Sequence, residues 1–295
     1  MSSAVNSPAL RRTAKVAGLT AMLALASQAA AVPIPEAYRD SVQQTQALAR
    51  ALYDKQRAAS AAETLWGSDA REKSDLRERG QIVEVLGDGR LRVSIAQGGA
   101  NDPVVSRQVA VKDGAILPGS DTRLPQGAAP SPRGALLWAA RATALGALRR
   151  QARLAGMMRH FTDRCPGSFR TVTLAIGDGA AAEAIYVYFL WEPREPGFMV
   201  LGGHFRVELT PGGEDIVAIR ESELQCQHLL SAGSGIDPDD IAFRLAITHA
   251  DADHPNEIQV LSTIGTRNSL SVSTPESGIL WRVARGRIRF IEYIS

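Results

Sequence analysis

Apolar and polar positions recur with two different periods along this chain, and the change of period divides it. Between residues 35 and 63 no glycine intervenes, and Tyr38, Val42, Thr45, Ala49 and Leu52 fall at three- and four-residue steps. That spacing predicts an amphipathic helix. Past residue 80 the period drops to two. GQIVEVL and RLRVSIA flank Gly87-Asp88-Gly89 and read as a hairpin closed by a tight glycine turn, with SRQVAV (106–111) as a third strand. The helical period returns over about 135–161, where Leu137, Ala140, Ala144, Leu148, Ala155 and Met158 form one stripe. Arg141, Arg149, Arg150, Arg153 and Arg159 are expected on its rim and outer side.

From Cys165 onward the pattern is strand-like. FRTVTLAI, AIYVYFLW, FMVLGGHFRVEL, DIVAIRES, IAFRLAIT, EIQVLSTI, SLSVST, GILWRVA and GRIRFIEYI follow one another between turn-rich segments. Gly202-Gly203, inside an otherwise good strand, predicts a bulge or a close approach of backbones. Meandering strands with a helix to cover them predict an α+β fold. In that reading an antiparallel β-sheet domain with a packed amphipathic helix occupies 135–295. A small helix plus β-hairpin region precedes it at 32–112, and the Pro/Gly-rich stretch 113–134 joins the two as a linker.

Residues 1–31 follow a different rule. Arg11, Arg12 and Lys15 precede the uncharged run VAGLTAMLALA, and small residues follow, with Ala29-x-Ala31 fitting a small-x-small cleavage site. This is the pattern of a signal peptide, and it predicts a periplasmic or secreted protein. The run is too short and too interrupted for a membrane span of about 20 residues. No later segment could serve as a transmembrane anchor after cleavage. The signal also accounts for the basic balance. Three of the 33 Lys and Arg residues lie within it, which leaves 30 against 31 Asp and Glu. A general nucleic-acid binder would keep a strong positive excess, so nucleic acid is not expected as a partner.

Cys165 and Cys226 are the two cysteines. In an oxidising compartment they are expected to form a disulfide closing a loop of about 60 residues, contributing about 3–4 kcal/mol through loop entropy. The other reading, a nucleophilic Cys226 beside His228, lacks a neighbouring cation or helix N-terminus to lower the thiol pKa.

Three groups of residues suggest chemistry. THADADH (248–254) offers His249, Asp251, Asp253 and His254, donors that could hold a zinc-like ion in a metal-dependent hydrolase. These positions resemble the H-x-H-x-D-H signature of metallo-β-lactamase-type hydrolases, with Asp251 where the second His should stand. That family needs further ligands downstream, and no His follows His254. A polar loop between two strands is the simpler reading, and no cofactor is expected. Tyr186, Tyr188, Trp191 and His204 lie on neighbouring strands and could line a groove for peptide or glycan, or form plain core. Glu192 and Glu195 suggest a carboxylate pair but sit in a turn. The Arg-rich helix could meet an anionic membrane surface, although its apolar side is mostly Ala and suits covering a sheet better.

The stretch YVYFLWEPREPGFMVLGGHFRVEL, the downstream Cys226 and the closing GILWRVARGRIRFIE together carry a likeness. Over residues 165–295 the chain resembles a group of uncharacterised exported proteins of Gram-negative bacteria. The resemblance implies export and a continuous fold, and it implies no activity. The functional expectation is therefore an exported protein, most simply a non-catalytic periplasmic or envelope-associated binding or structural protein. The alternative is a metal-dependent hydrolase using the His249–His254 cluster.

Overall fold

Helix α1 (Arg39–Trp66) is 28 residues long, about 42 Å at the usual rise of 1.5 Å per residue. Val42, Thr45, Ala49 and Leu52 are buried, as their spacing requires, and the buried stripe continues through Ala58, Ala59 and Ala62 to Trp66. The computed structural model describes residues 32–67, 79–154, 169–177, 182–192, 198–222, 226–230, 244–248, 252–266 and 268–294. Among these residues no helix is long and apolar enough to cross a membrane.

Strands β1 (Arg79–Val85) and β2 (Arg90–Gln97) form the expected hairpin, and β3 (Val104–Lys112) pairs antiparallel with β2. Asp88 takes the left-handed conformation, φ 59°, at the tip of its turn. Residues 113–134 do not run away from this sheet. Their short strands β4 (Ala115–Ile116) and β5 (Thr122–Arg123) both pair with β3. Asp121 ties the segment down, accepting from Trp66 Nε1 at 3.0 Å and Arg107 Nε at 2.8 Å. The hydrogen bond from Arg107 is the main reason its carboxyl pKa lies below the ordinary value.

Helix α2 (Pro132–Leu154) begins where Ser131 Oγ accepts the Gly134 N–H at 2.9 Å, with Pro132 at the first helical position. It covers one face of the second sheet, in strand order β10-β9-β7-β6. These strands are β6 (Phe169–Ile176), β7 (Ala184–Trp191), β9 (His204–Leu209) and β10 (Ile216–Ser222). Ala140, Ala144, Leu145 and Leu148 pack on Ile185, Val187, Phe189, Phe205 and Val207. Arg141, expected on the helix rim, is instead buried, with its guanidinium 4.7 Å from the Trp138 ring centre. A flat guanidinium packs like a ring and keeps its charge over the aromatic face.

Gly202 and Gly203 lie between β8 (Phe198–Leu201) and β9, with φ of 83° and 69°. They mark more than a bulge. Strand β8 pairs with β11 (Gln227–Leu230), while β9 pairs with β7 and β10, so the chain changes sheet at the two glycines. Left-handed φ angles of this kind cost an ordinary residue about 1–2 kcal/mol each.

The last sheet runs β12 (Arg244–Thr248), β13 (Ser269–Thr274), β14 (Ile279–Ala284) and β15 (Arg287–Tyr293). It is mostly antiparallel, but β12 pairs parallel to β13. The crossover between them contains a correction. EIQVLSTI, expected as a strand, forms helix α3 (Glu257–Leu261). Asn256 Oδ1 accepts from Ile258 and Gln259 N–H at 3.0 and 2.9 Å, and Gln259 Oε1 accepts from the Asn256 N–H at 3.0 Å. This reciprocal cap outweighs the strand-like alternation of the side chains.

The architecture is therefore α+β, mostly antiparallel, with a helix leading into the sheets. Helix α1 serves three sheets in turn. Val42 and Ala49 join the core of the last sheet around Trp281. Leu52 packs with Val172, Leu174, Tyr188 and Ile258, and Ala58, Ala62 and Trp66 pack on Val93, Ile95, Val109 and Val111.

Candidate functional site

Strand β9 alternates cleanly. Phe205, Val207 and Leu209 face α2, while His204, Arg206 and Glu208 face the opposite side, toward α1 and α3. There a cleft of about 480 Å³ opens between α1, strands β9 and β10, and the segment 252–258. Tyr186, His204, Arg206, Arg220, His254 and Glu257 line it.

Its floor is a network of charges. Glu257, buried at the first turn of α3, accepts from Tyr188 Oη at 3.1 Å and from Arg206 Nη1. Arg206 Nη2 donates to Glu208 Oε1 at 2.7 Å, and Arg220 Nε donates to the same oxygen at 2.6 Å. The Arg206 guanidinium also lies 5.0 Å from the centre of the Tyr186 ring. Burial opposes the charge on Arg206, but Glu257, Tyr188 and Glu208 outweigh it and raise its pKa. Burial likewise opposes the Glu208 carboxylate, and the hydrogen bonds from Arg220 and Arg206 more than reverse this, so its pKa falls. Tyr188 is driven well above the ordinary phenol range, first by burial and then by Glu257. Arg206 and Arg220 are paired with Glu208 and Glu257 along this wall, while Arg206 Nε is buried with no hydrogen-bond partner among the described residues. Such a wall suits orienting a polar ligand.

The aromatic residues proposed for binding are distributed unevenly. Tyr186 and His204 reach the cleft, whereas Tyr188 and Trp191 are core. Trp191 donates its Nε1 proton to Gly203 O at 2.8 Å. His204 accepts the Trp191 N–H at Nδ1, 3.0 Å, and its Nε2 lies 3.1 Å from Val200 O. Those partners fix a neutral ring protonated on Nε2, and burial pushes its pKa down to about 4. Glu192 is ion-paired with Arg170 at 2.7 Å.

Of the four candidate metal ligands, His249 and Asp251 lie outside the described residues. Asp253 is exposed, and its carbonyl accepts from Trp281 Nε1 and Ser277 Oγ, each at 3.2 Å. His254 Nδ1 donates to Pro255 O at 2.8 Å while the ring lines the cleft. Among the described residues no three His, Cys, Asp or Glu side chains are grouped to hold a metal. Cys226 is disulfide-bonded. Cys165, the other cysteine of the chain, lies outside the described residues.

A larger groove, about 1080 Å³, adjoins the cleft, and Gln44 and Leu48 of α1 line both. Its walls come from α1, the β1–β2 hairpin, α2 and the end of β6, and include Val85, Leu86, Leu91, Leu174 and Ile176. Lys55 also lines it. Buried to 5% exposure, Lys55 donates from Nζ to Val83 O of β1 and to Thr173 O of β6, both at 2.6 Å. Strands β1 and β6 are edge strands of different sheets. The lysine thus fastens two sheet edges where no ladder joins them. Burial, then the Arg133 charge, lowers its pKa to about 7, with Glu84 opposing.

The sequence reading passed over Lys55, Arg206 and Glu257. The signal for Lys55 was present, because extending the Val42–Leu52 stripe by three residues lands on it. Arg206 and Glu208 were visible as the polar side of an alternating strand. Glu257 was hidden by the misassigned helix. A scan against protein-family models finds no match, and no curated protein matches the chain.

Proposed function

We propose that this chain is an exported, non-catalytic binding protein of the periplasm or cell envelope, and that its ligand lies beside α1. The observation that carries this reading is the junction of two cavities. A cleft walled by paired charges meets a larger groove walled by aliphatic side chains, with Gln44 and Leu48 between them. Cavities of this size with a few polar groups on an apolar wall suit small-molecule ligands. The Tyr188–Glu257–Arg206–Glu208 chain favours binding over acid–base work, since each ionised group is held by an opposite charge. The basic start, apolar run and small-x-small end of residues 1–31 support export. The disulfide at Cys226 is consistent with an oxidising compartment, and Cys165 is its proposed partner.

Expression with the native leader in a Gram-negative host, followed by native mass spectrometry of the periplasmic fraction, tests both parts. The expected result is a chain starting near Val32 that carries a small-molecule mass. The Leu48→Trp variant, folded by circular dichroism, is expected to have lost that mass. An unprocessed cytoplasmic chain would reject the address, and a mature chain without bound mass would reject the binding role.

A further inference from the structure

The groove beside Lys55 holds two cations that lack a carboxylate of their own. Lys55 reaches the groove from α1 and Arg133 from the first turn of α2, close enough for the Arg133 charge to disfavour the Lys55 ammonium. Three of the surrounding carboxylates, Glu84, Glu63 and Asp54, are engaged with arginines. Glu84 of β1 accepts Arg92 through two nitrogens at 3.0 and 2.9 Å, as well as Ser131 Oγ. Glu63 of α1 accepts two nitrogens of Arg170, at 3.1 and 2.9 Å, and Asp54 is paired with Arg50 at 3.2 Å. Asp113 is exposed where it lines the groove. The remaining charged neighbours, around the small cavity behind the lysine, are Arg141 of α2, stacked on Trp138, and Arg170 of β6, paired with Glu63 and Glu192.

An ammonium has three donors, and Lys55 uses two on Val83 O and Thr173 O. The third has no acceptor among the described residues. Arg133 likewise has no ion-pair partner there, and its five-donor fork suits a carboxylate bidentately. Beyond these two cations Leu48, Leu86, Leu91, Leu174 and Ile176 give the groove an aliphatic stretch of wall, with Gln44, Asp54 and Asp113 as its other polar lining.

We propose that this groove binds a free acyl chain bearing a single carboxylate, with the carboxylate between Lys55 and Arg133 and the chain along the aliphatic wall. The proposal rests on the binding role argued above and names its ligand class. A monoanion fits better than a phosphate monoester. One lysine donor and one guanidinium fork satisfy two carboxylate oxygens, whereas a dianion would bring a second charge and a third oxygen into a largely apolar wall.

Binding is also coupled to protonation. With its pKa near 7, Lys55 is only partly charged at neutral pH, and a bound anion favours the charged form. Affinity therefore falls as pH rises above 7, approaching tenfold per unit, and proton uptake accompanies binding.

Isothermal titration of the mature protein with decanoate, decyl phosphate, decyltrimethylammonium and decanol tests this. Decanoate is expected to bind one to one, at least tenfold more tightly than the other three at pH 7. It should weaken about tenfold between pH 7 and 8.5 and take up protons when compared across buffers of different ionisation enthalpy. Arg133→Gln lies at a half-exposed helix start and spares the fold. It should lose about tenfold in decanoate affinity and leave decanol unchanged. Decyl phosphate binding as tightly as decanoate, equal binding of all four chains, or an Arg133→Gln variant with unchanged decanoate affinity would overturn the carboxylate assignment while leaving a binding protein. Absence of binding by any of the four would overturn this inference alone, because bound mass in the periplasmic protein is read independently.

Discussion

At the scale of residues, Lys55 and His204 are two basic groups whose charged forms the fold disfavours, and they act in different pH windows. Folding lowers the Lys55 pKa from 10.5 to about 7. Between those values the unfolded chain holds a proton that the folded one has released, so stability rises with pH across that window and the full penalty stands below pH 7. His204 falls from 6.5 to about 4, so its share of stability is lost as pH drops from 6.5 toward 4. Between pH 7 and 9 the lysine acts nearly alone. Urea unfolding is expected to show the wild type gaining about 2 kcal/mol over that interval, and Lys55→Met, if folded, showing a flat profile. A flat wild-type profile would mean that the buried ammonium is not disfavoured. The sequence made His204 visible as a candidate binding-groove residue but could not show that both its ring nitrogens serve the backbone at Trp191 and Val200. Hydrogen-bond partners of that kind are set by which strands meet.

At the scale of elements, local pattern held where period, length and caps agreed. FRTVTLAI and AIYVYFLW became β6 and β7 over the expected residues, and the hairpin formed around Gly87–Gly89. The failures came where one local signal competed with another. EIQVLSTI alternates like a strand, yet the Asn256–Gln259 capping box turns it into α3 and delivers Glu257 to Arg206. Replacing Asn256 with Ala removes an acceptor for two N–H groups and is expected to cost about 1 kcal/mol in denaturant unfolding. Asn256→Asp, which keeps the acceptor, should stay close to wild type. Equal stability of Asn256→Ala and wild type would show that tertiary packing alone holds the helix. Gly202-Gly203 read as an irregularity in one strand, but pairing with β11 on one side and β7 on the other assigns its halves to different sheets. A change of sheet has no local signature beyond the glycines themselves.

At the scale of the whole molecule, α1 joins parts far apart in the chain. Helix α1 contributes to cores formed by the first, second and last sheets, so the N-terminal region and the strands after residue 165 share one interior. Ile288 N–H even donates to Gln46 Oε1 at 3.0 Å, across 242 residues of sequence. The proposed Cys165–Cys226 bond closes a loop holding β6 to β10. Non-reducing peptide mapping of the protein expressed with its leader is expected to recover those two cysteines linked, and reduction should lower stability by about 3–4 kcal/mol. Two alkylatable thiols in the oxidised protein would refute the pairing. By itself the sequence determined the α+β class, the buried stripe of α1 and most strand positions, because each depends on spacing within a few residues. The tertiary structure alone decided that β12 lies parallel to β13, that Lys55 spans two sheet edges, and that a charged cleft meets an apolar groove at Gln44 and Leu48. Each of these depends on groups separated by tens to hundreds of residues, and their meeting is fixed by the packing of whole faces, which no local period encodes.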